Sequence, residues 1–225
     1  MSAKSDIDSV VKELCEKQKE FTNSDVIEKT GLHKSTVSKR LKELEINGFI
    51  SKVEGKWVCI DSEDPKQLLT VLLKNPKNRV MSKRVVFKLL TDEATRPFAI
   101  ELWKYAEKYI GEVELPEHIH INTFVECKPE YTDSTITTAV ILSNILSSNQ
   151  LKKLVENFIS MLRDEDIDEC LSYFAFVAAL IISSGLVDYL DEMYDIIRRK
   201  DFADYEGFIR TIYHEVLEIV NSKSS

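Results

Sequence analysis

The chain has 225 residues, 44% of them hydrophobic, with only six Gly and five Pro, a composition that excludes disordered and low-complexity classes and fits one or two folded domains. A formal net charge of −8 argues against a uniformly cationic nucleic-acid binder, yet the acidity is uneven. Residues 1–60 carry 11 Lys/Arg against 10 Asp/Glu, and the other 165 carry 19 against 28.

The first predicted element is an amphipathic helix over 6–19, with Ile7, Val10, Val11 and Leu14 on one stripe. Thr22 and Asp25 then have roughly capping-box spacing ahead of a short helix whose Val26 and Ile27 point inward. Gly31-Leu32 interrupts that pattern. A second helix starts at Lys34 and extends to about residue 47, with Val37, Leu41 and Leu44 recurring at steps of four and three and so facing inward. The same periodicity turns Ser35, Thr36, Lys39 and Arg40 toward solvent, a set of hydroxyls and cations suited to base edges and phosphates. Asn47-Gly48 is a helix stop. The β-branched and aromatic runs 49–53 and 56–60, joined by Glu54-Gly55, read as a tight hairpin with Lys52 and Lys56 near its tip.

Asp61-Ser62-Glu63-Asp64-Pro65 is polar, acidic and closed by proline, and marks a boundary between an N-terminal domain, 1–62, and a second domain, 66–225. The second domain is predicted helical almost throughout. Short striped segments at 66–74 and 82–91 flank Asn75-Pro76, and Thr95-Arg96-Pro97 opens a helix expected to run to about Ile110, with Phe98, Leu102, Tyr105, Ala106 and Tyr109 on one face. Residues 112–128 are the least regular, with a short strand expected around 118–125. Helices follow at about 133–147, 150–163, 166–184, 186–200 and 203–221. The longest apolar run, 174–182, is nine residues and reads as a buried helix, because spanning a bilayer takes roughly 20.

Residues 6–60 resemble the winged helix-turn-helix of prokaryotic and archaeal transcription regulators, the broad MarR/ArsR/IclR-like group. The matching residues are the turn Thr30-Gly31-Leu32, the run Lys34-Ser35-Thr36-Val37-Ser38-Lys39-Arg40-Leu41, the Leu44-Glu45 pair, the exit Asn47-Gly48-Phe49-Ile50 and the hairpin behind it. The resemblance implies a mostly α protein: an N-terminal unit of three helices and a β-hairpin wing, then an all-helical domain. It places helix 34–47, with Lys34, Ser35, Thr36, Ser38, Lys39 and Arg40, in the major groove of double-stranded DNA, and the wing 50–60, with Lys52 and Lys56, on phosphates. A homodimer is expected, since two half-sites multiply the few base contacts of one helix, with segments 166–184 and 203–221 as candidate interfaces. The second domain resembles no recognised family, and a small-molecule effector for it is unspecified.

Other features receive plainer readings. Lys74, Lys77, Arg79, Lys83, Arg84 and Lys88 form a basic stretch, read as a solvated helix face and turn, with a second phosphate patch or an RNA-facing surface as the alternative. The acidic run at 164–169 reads as a helix start favoured by the macrodipole, and Arg198-Arg199-Lys200 as a helix end. His118 and His120 have the spacing of two metal ligands on a strand, with Cys127 or Glu130 nearby, but read as ordinary, partly exposed histidines. The sequence holds no phosphate loop, GxSxG, HExxH or HxE…CxxC motif, so neither catalysis nor a cofactor is expected. Cys15, Cys59, Cys127 and Cys170 lie far apart with no CxxC pair, and no signal-peptide core precedes them, which points to a reducing cytoplasm. The leading expectation is a DNA-binding transcription regulator. The alternatives are a protein–protein adaptor that uses the winged helix as an interaction module, and a plasmid or chromosome maintenance factor.

Overall fold

A computed structural model describes residues 3–17, 20–46, 49–59, 80–163, 170–199 and 204–223. The protein is mostly helical, with ten α-helices among the described residues. Two compact units divide the chain: Met1–Val86 with Tyr105–Glu112, and Phe87–Lys104 with Val113–Ser225. The boundary expected at 61–65, the helix expected at 66–74, the acidic run at 164–169 and the cations Lys74, Lys77 and Arg79 lie outside the described residues.

In the first unit α1 (Ala3–Lys17) leads through a two-residue strand β1 (Glu20–Phe21) into α2 (Asn23–Thr30) and α3 (Lys34–Ile46). Thr22 caps α2 with a full capping box: its hydroxyl accepts from the Asp25 amide, and the Asp25 carboxylate accepts from the Thr22 amide at 2.6 Å. Gly31 ends α2 at φ +66°, a left-handed conformation that glycine adopts without a Cβ penalty. The hairpin of β2 (Ile50–Val53) and β3 (Lys56–Cys59) turns through Glu54 and Gly55, both at positive φ, as a two-residue hairpin turn requires. Sequence periodicity does not find β1, which is only two residues long. It pairs antiparallel with β3 and completes a three-stranded sheet of order β1-β3-β2.

The core of this unit gathers the predicted inward residues. Ile7, Val11, Leu14, Val26, Val37, Leu41 and Leu44 are buried together with Phe21, Ile50 and Trp57. A small parallel sheet, β4 (Val80–Ser82) with β5 (Lys108–Ile110), belongs to the same unit.

The second part of the chain contains α4 (Lys83–Leu90), which carries the division at Val86, then α5 (Arg96–Tyr105), α6 (Asp133–Ile145), α7 (Ser148–Leu162), α8 (Leu171–Ser184), α9 (Tyr189–Arg199) and α10 (Tyr205–Lys223). Two expectations for the chain beyond residue 66 are corrected. The helix opened at Thr95 stops at Tyr105, and 108–110 is strand: Tyr109 pairs with Met81, and Gly111 at φ +83° closes the segment. The strand expected around 118–125 is instead a 3-10 turn, Ile121–Thr123, capped by His120, whose Nδ1 accepts from the Asn122 amide at 3.2 Å.

Helix α8 is the centre of the second unit and packs on α6, α7, α9 and α10. Every residue from Ser172 to Ile181 is buried. The apolar run is therefore core apart from half-buried Ile182, which removes α8 as an interface candidate. Phe124 anchors an aromatic cluster, stacked on Phe176 at 5.9 Å and edge-on to Phe87 and Phe158. Among the described residues no helix is long and apolar enough to cross a membrane.

Candidate nucleic-acid interface

Helix α3 and the hairpin carry all eight residues expected to contact DNA, and the structure sorts them into three groups. Lys34, Ser35, Thr36 and Lys39 are exposed on one side of α3. His33 stands just before the helix: its Nδ1 lies 2.9 Å from the Ser35 hydroxyl and accepts from the Ser35 amide at 3.3 Å, giving the helix a side-chain cap. Lys42, three residues beyond Lys39 and exposed beside it, joins this face. Among the described residues Lys34, Lys39 and Lys42 have no ion-pair partner.

Arg40 does not face solvent as the periodicity suggested, and Ser38, placed in the groove by the resemblance, is turned toward α2. The Arg40 guanidinium turns back onto α1. Its Nε and Nη2 donate to the two Asp8 carboxylate oxygens at 2.8 and 2.6 Å, and its Nη1 donates to Glu43 at 2.8 Å. Lys4 completes the network on Glu43 at 3.2 Å. With a side chain only 19% exposed, Arg40 is a strut between α1 and α3. Arg40 and Lys4 hold the Glu43 carboxylate below its usual pKa range. Ser38 is half-buried, and its hydroxyl accepts from the Asn23 side-chain amide at 2.9 Å. The carbonyl oxygen of the same Asn23 accepts from the indole N–H of Trp57. One side chain at the start of α2 thereby ties the middle of α3 to the wing strand β3.

The wing lysines form the third group. Lys52 lies over the Trp57 ring, 5.4 Å from its centroid, and shields an otherwise buried indole. Lys56 pairs with Glu20 of β1 at 2.9 Å, with both side chains more than half exposed, so a competing phosphate meets little resistance. At the entrance to β2, Arg84 stacks on Phe49 at 4.8 Å.

Sequence reasoning missed Asp8 and Asn23, whose partners lie 32, 15 and 34 residues away, while Lys42 was legible from its i+3 spacing to Lys39.

Two further expectations concern metals and effectors. No group of three His, Cys, Asp or Glu able to hold a metal exists among the described residues; His118 and His120 are both exposed, and His120 caps the 3-10 turn. The second unit has a cavity of about 490 Å³, walled by one face of α5, by the segment 124–132 and by the first turns of α6. Its size falls in the small-molecule range, and its charged lining is mixed, with Arg96, Lys104 and Lys128 beside Glu93, Glu101 and Glu126.

All four cysteines are paired, which corrects the picture of isolated thiols. Cys15 of α1 is bonded to Cys59 of β3, and Cys127 to Cys170, the residue that precedes α8. Sequence separations of 44 and 43 concealed both pairs. No family model matches the chain, and no curated protein or solved structure matches it.

Proposed function

We propose that residues 3–59 form a winged helix-turn-helix that reads double-stranded DNA, and that the protein is a transcription regulator. The observation that carries this reading is the exposed face of α3. Lys34, Lys39 and Lys42 stand there with the hydroxyls of Ser35 and Thr36, and of the helix's two glutamates, Glu43 and Glu45, the first is engaged by Arg40 and Lys4. A stretch of helix with cations available for phosphates and short polar groups available for base edges is what groove reading requires. The order of three helices and a hairpin supports the same reading, with Lys52 and Lys56 reaching phosphates from the wing. The role is recognition rather than catalysis, and Arg40 and Ser38 support the reading helix instead of touching bases.

The acidic remainder of the chain disfavours loose binding to any duplex, so affinity has to come from a matched site and from a second copy of the protein. On α10, Tyr213, Leu217 and Val220 are 48, 39 and 42% exposed at steps of four and three, an apolar row suited to pairing with its own copy. We place the protein in the cytoplasm, in a cell interior that tolerates protein disulfides. Selection from random-sequence duplexes tests the reading. An enriched motif with two half-sites, lost in Lys39→Glu, supports it. Failure to enrich any motif moves the function to a protein–protein adaptor.

A further inference from the structure

We propose that Cys127–Cys170 is a redox-active disulfide that exchanges with low-molecular-weight thiols, whereas Cys15–Cys59 is a fixed cross-link. Cys127 and Cys170 both belong to the second unit, and their chemistry does not depend on DNA reading by the first.

The two disulfides differ in access. Cys15 and Cys59 are both half-buried against the core of the first unit. In the other pair the two residues are unequal: Cys127 is exposed, and Cys170 is only 5% exposed. A thiolate arriving from solvent therefore meets one sulfur, that of Cys127. Both neighbours of Cys127, Glu126 and Lys128, line the 490 Å³ cavity, so the segment that carries the bond borders a space of small-molecule size.

Leaving-group chemistry points the same way. Cys170 is the N-cap residue of α8, a helix of 14 residues, and its side chain makes no capping hydrogen bond. Attack at Cys127 expels Cys170 as a thiolate into the positive end of that helix, where the macrodipole and the first-turn amides favour a negative charge. Exchange is faster when the departing thiol is the better anion. In the first step the incoming thiolate forms a mixed disulfide with Cys127 while the Cys127–Cys170 bond breaks and its electron pair leaves on Cys170. In the second step another thiolate attacks the adduct, releases a small-molecule disulfide and frees Cys127. Two thiols are oxidised, one protein disulfide is reduced, and the two protons pass to the protein thiols.

The fold around the bond is built to survive its opening. Ser172 clamps the segment next to Cys127 independently of sulfur: its hydroxyl donates to the Glu126 carbonyl at 2.6 Å and accepts from the Lys128 amide at 2.9 Å, and its amide donates to the Lys128 carbonyl at 3.2 Å. These three hydrogen bonds keep the cysteine backbones near their 4.9 Å Cα separation, so the thiols remain placed to re-form the bond.

The test uses the full-length oxidised protein in glutathione buffers of stepwise more reducing ratio. Samples are quenched with acid, alkylated and mapped by peptide mass spectrometry, with circular dichroism recorded at each step. The proposal predicts that Cys127 and Cys170 become alkylatable while Cys15 and Cys59 stay bonded, that any glutathione adduct sits on Cys127, and that helicity is unchanged and the bond returns on reoxidation. It is overturned by Cys15–Cys59 opening first or at the same ratio, by the adduct residing on Cys170, or by opening of Cys127–Cys170 only together with loss of helicity. A Cys127–Cys170 bond that resists every ratio, including excess dithiothreitol, overturns it too.

Discussion

Replacing Arg40 by alanine separates support from recognition. The substitution removes three charge-assisted hydrogen bonds, two to Asp8 and one to Glu43, and leaves both carboxylates without their shared partner. Such bonds contribute up to about 1.5–3 kcal/mol each when buried. The Asp8 and Glu43 side chains are 40 and 29% exposed, so solvent recovers much of that, and the net loss for the bidentate strut comes to about 2 kcal/mol. Urea unfolding followed by tryptophan fluorescence in a Trp103→Phe background, which leaves Trp57 as the sole indole, reads this as a lower midpoint at constant slope. Lys39→Ala, one residue away, should leave the midpoint unchanged and weaken DNA binding by about 1 kcal/mol, with a shallower salt dependence for the lost phosphate contact. The Arg40 network also sets a pH response. Because Glu43 is held below its ordinary value of 4.5, its stabilisation is complete above that value and is lost as pH falls through the lower folded value. Arg40→Ala should flatten the decline below pH 4.5. If Arg40→Ala unfolded like the parent yet failed to bind DNA, Arg40 would be a groove residue after all and the strut reading would be wrong.

Three further outcomes follow from the first unit. Val37 is 0% exposed, so Val37→Asp buries a charge with no partner and should abolish the cooperative unfolding transition of this unit, while Val37→Ile costs no more than about 1–3 kcal/mol. Asn23→Ala removes the partners of the Trp57 indole and the Ser38 hydroxyl and should lower stability by about 1–3 kcal/mol, with a shift in Trp57 emission; an unchanged spectrum and midpoint would show that the bridge is idle. Replacing Cys15 and Cys59 by serine opens a loop of 44 residues, and chain entropy puts the loss at about 4 kcal/mol, measurable as a lower thermal midpoint in the paired variant.

Local signals were legible where the chemistry was local. The Thr22 capping box, the Gly31 turn, the Glu54-Gly55 hairpin and the inward row Val37, Leu41 and Leu44 all follow from spacing, because each depends on residues within one or two turns. Periodicity failed where a distant partner decided. It assigned Arg40 to solvent because a helical wheel cannot contain Asp8, 32 residues earlier. It continued a helix through Tyr109 because aromatic and branched residues fit either element, and the choice was made by pairing with Val80–Ser82. The disulfides escaped for the same reason. Two cysteines about 44 residues apart in sequence carry no mark of adjacency until α1 and β3 pack on one core.

The most direct test of the central claim is fluorescence anisotropy of the purified protein with a duplex from upstream of its own gene and with a scrambled duplex, across a salt series. The account predicts tighter binding to the upstream duplex, with the logarithm of affinity falling linearly against the logarithm of salt and a smaller slope in Lys39→Ala. Equal binding to both duplexes, or none to either at low salt, would contradict it and leave α3 a protein-facing surface.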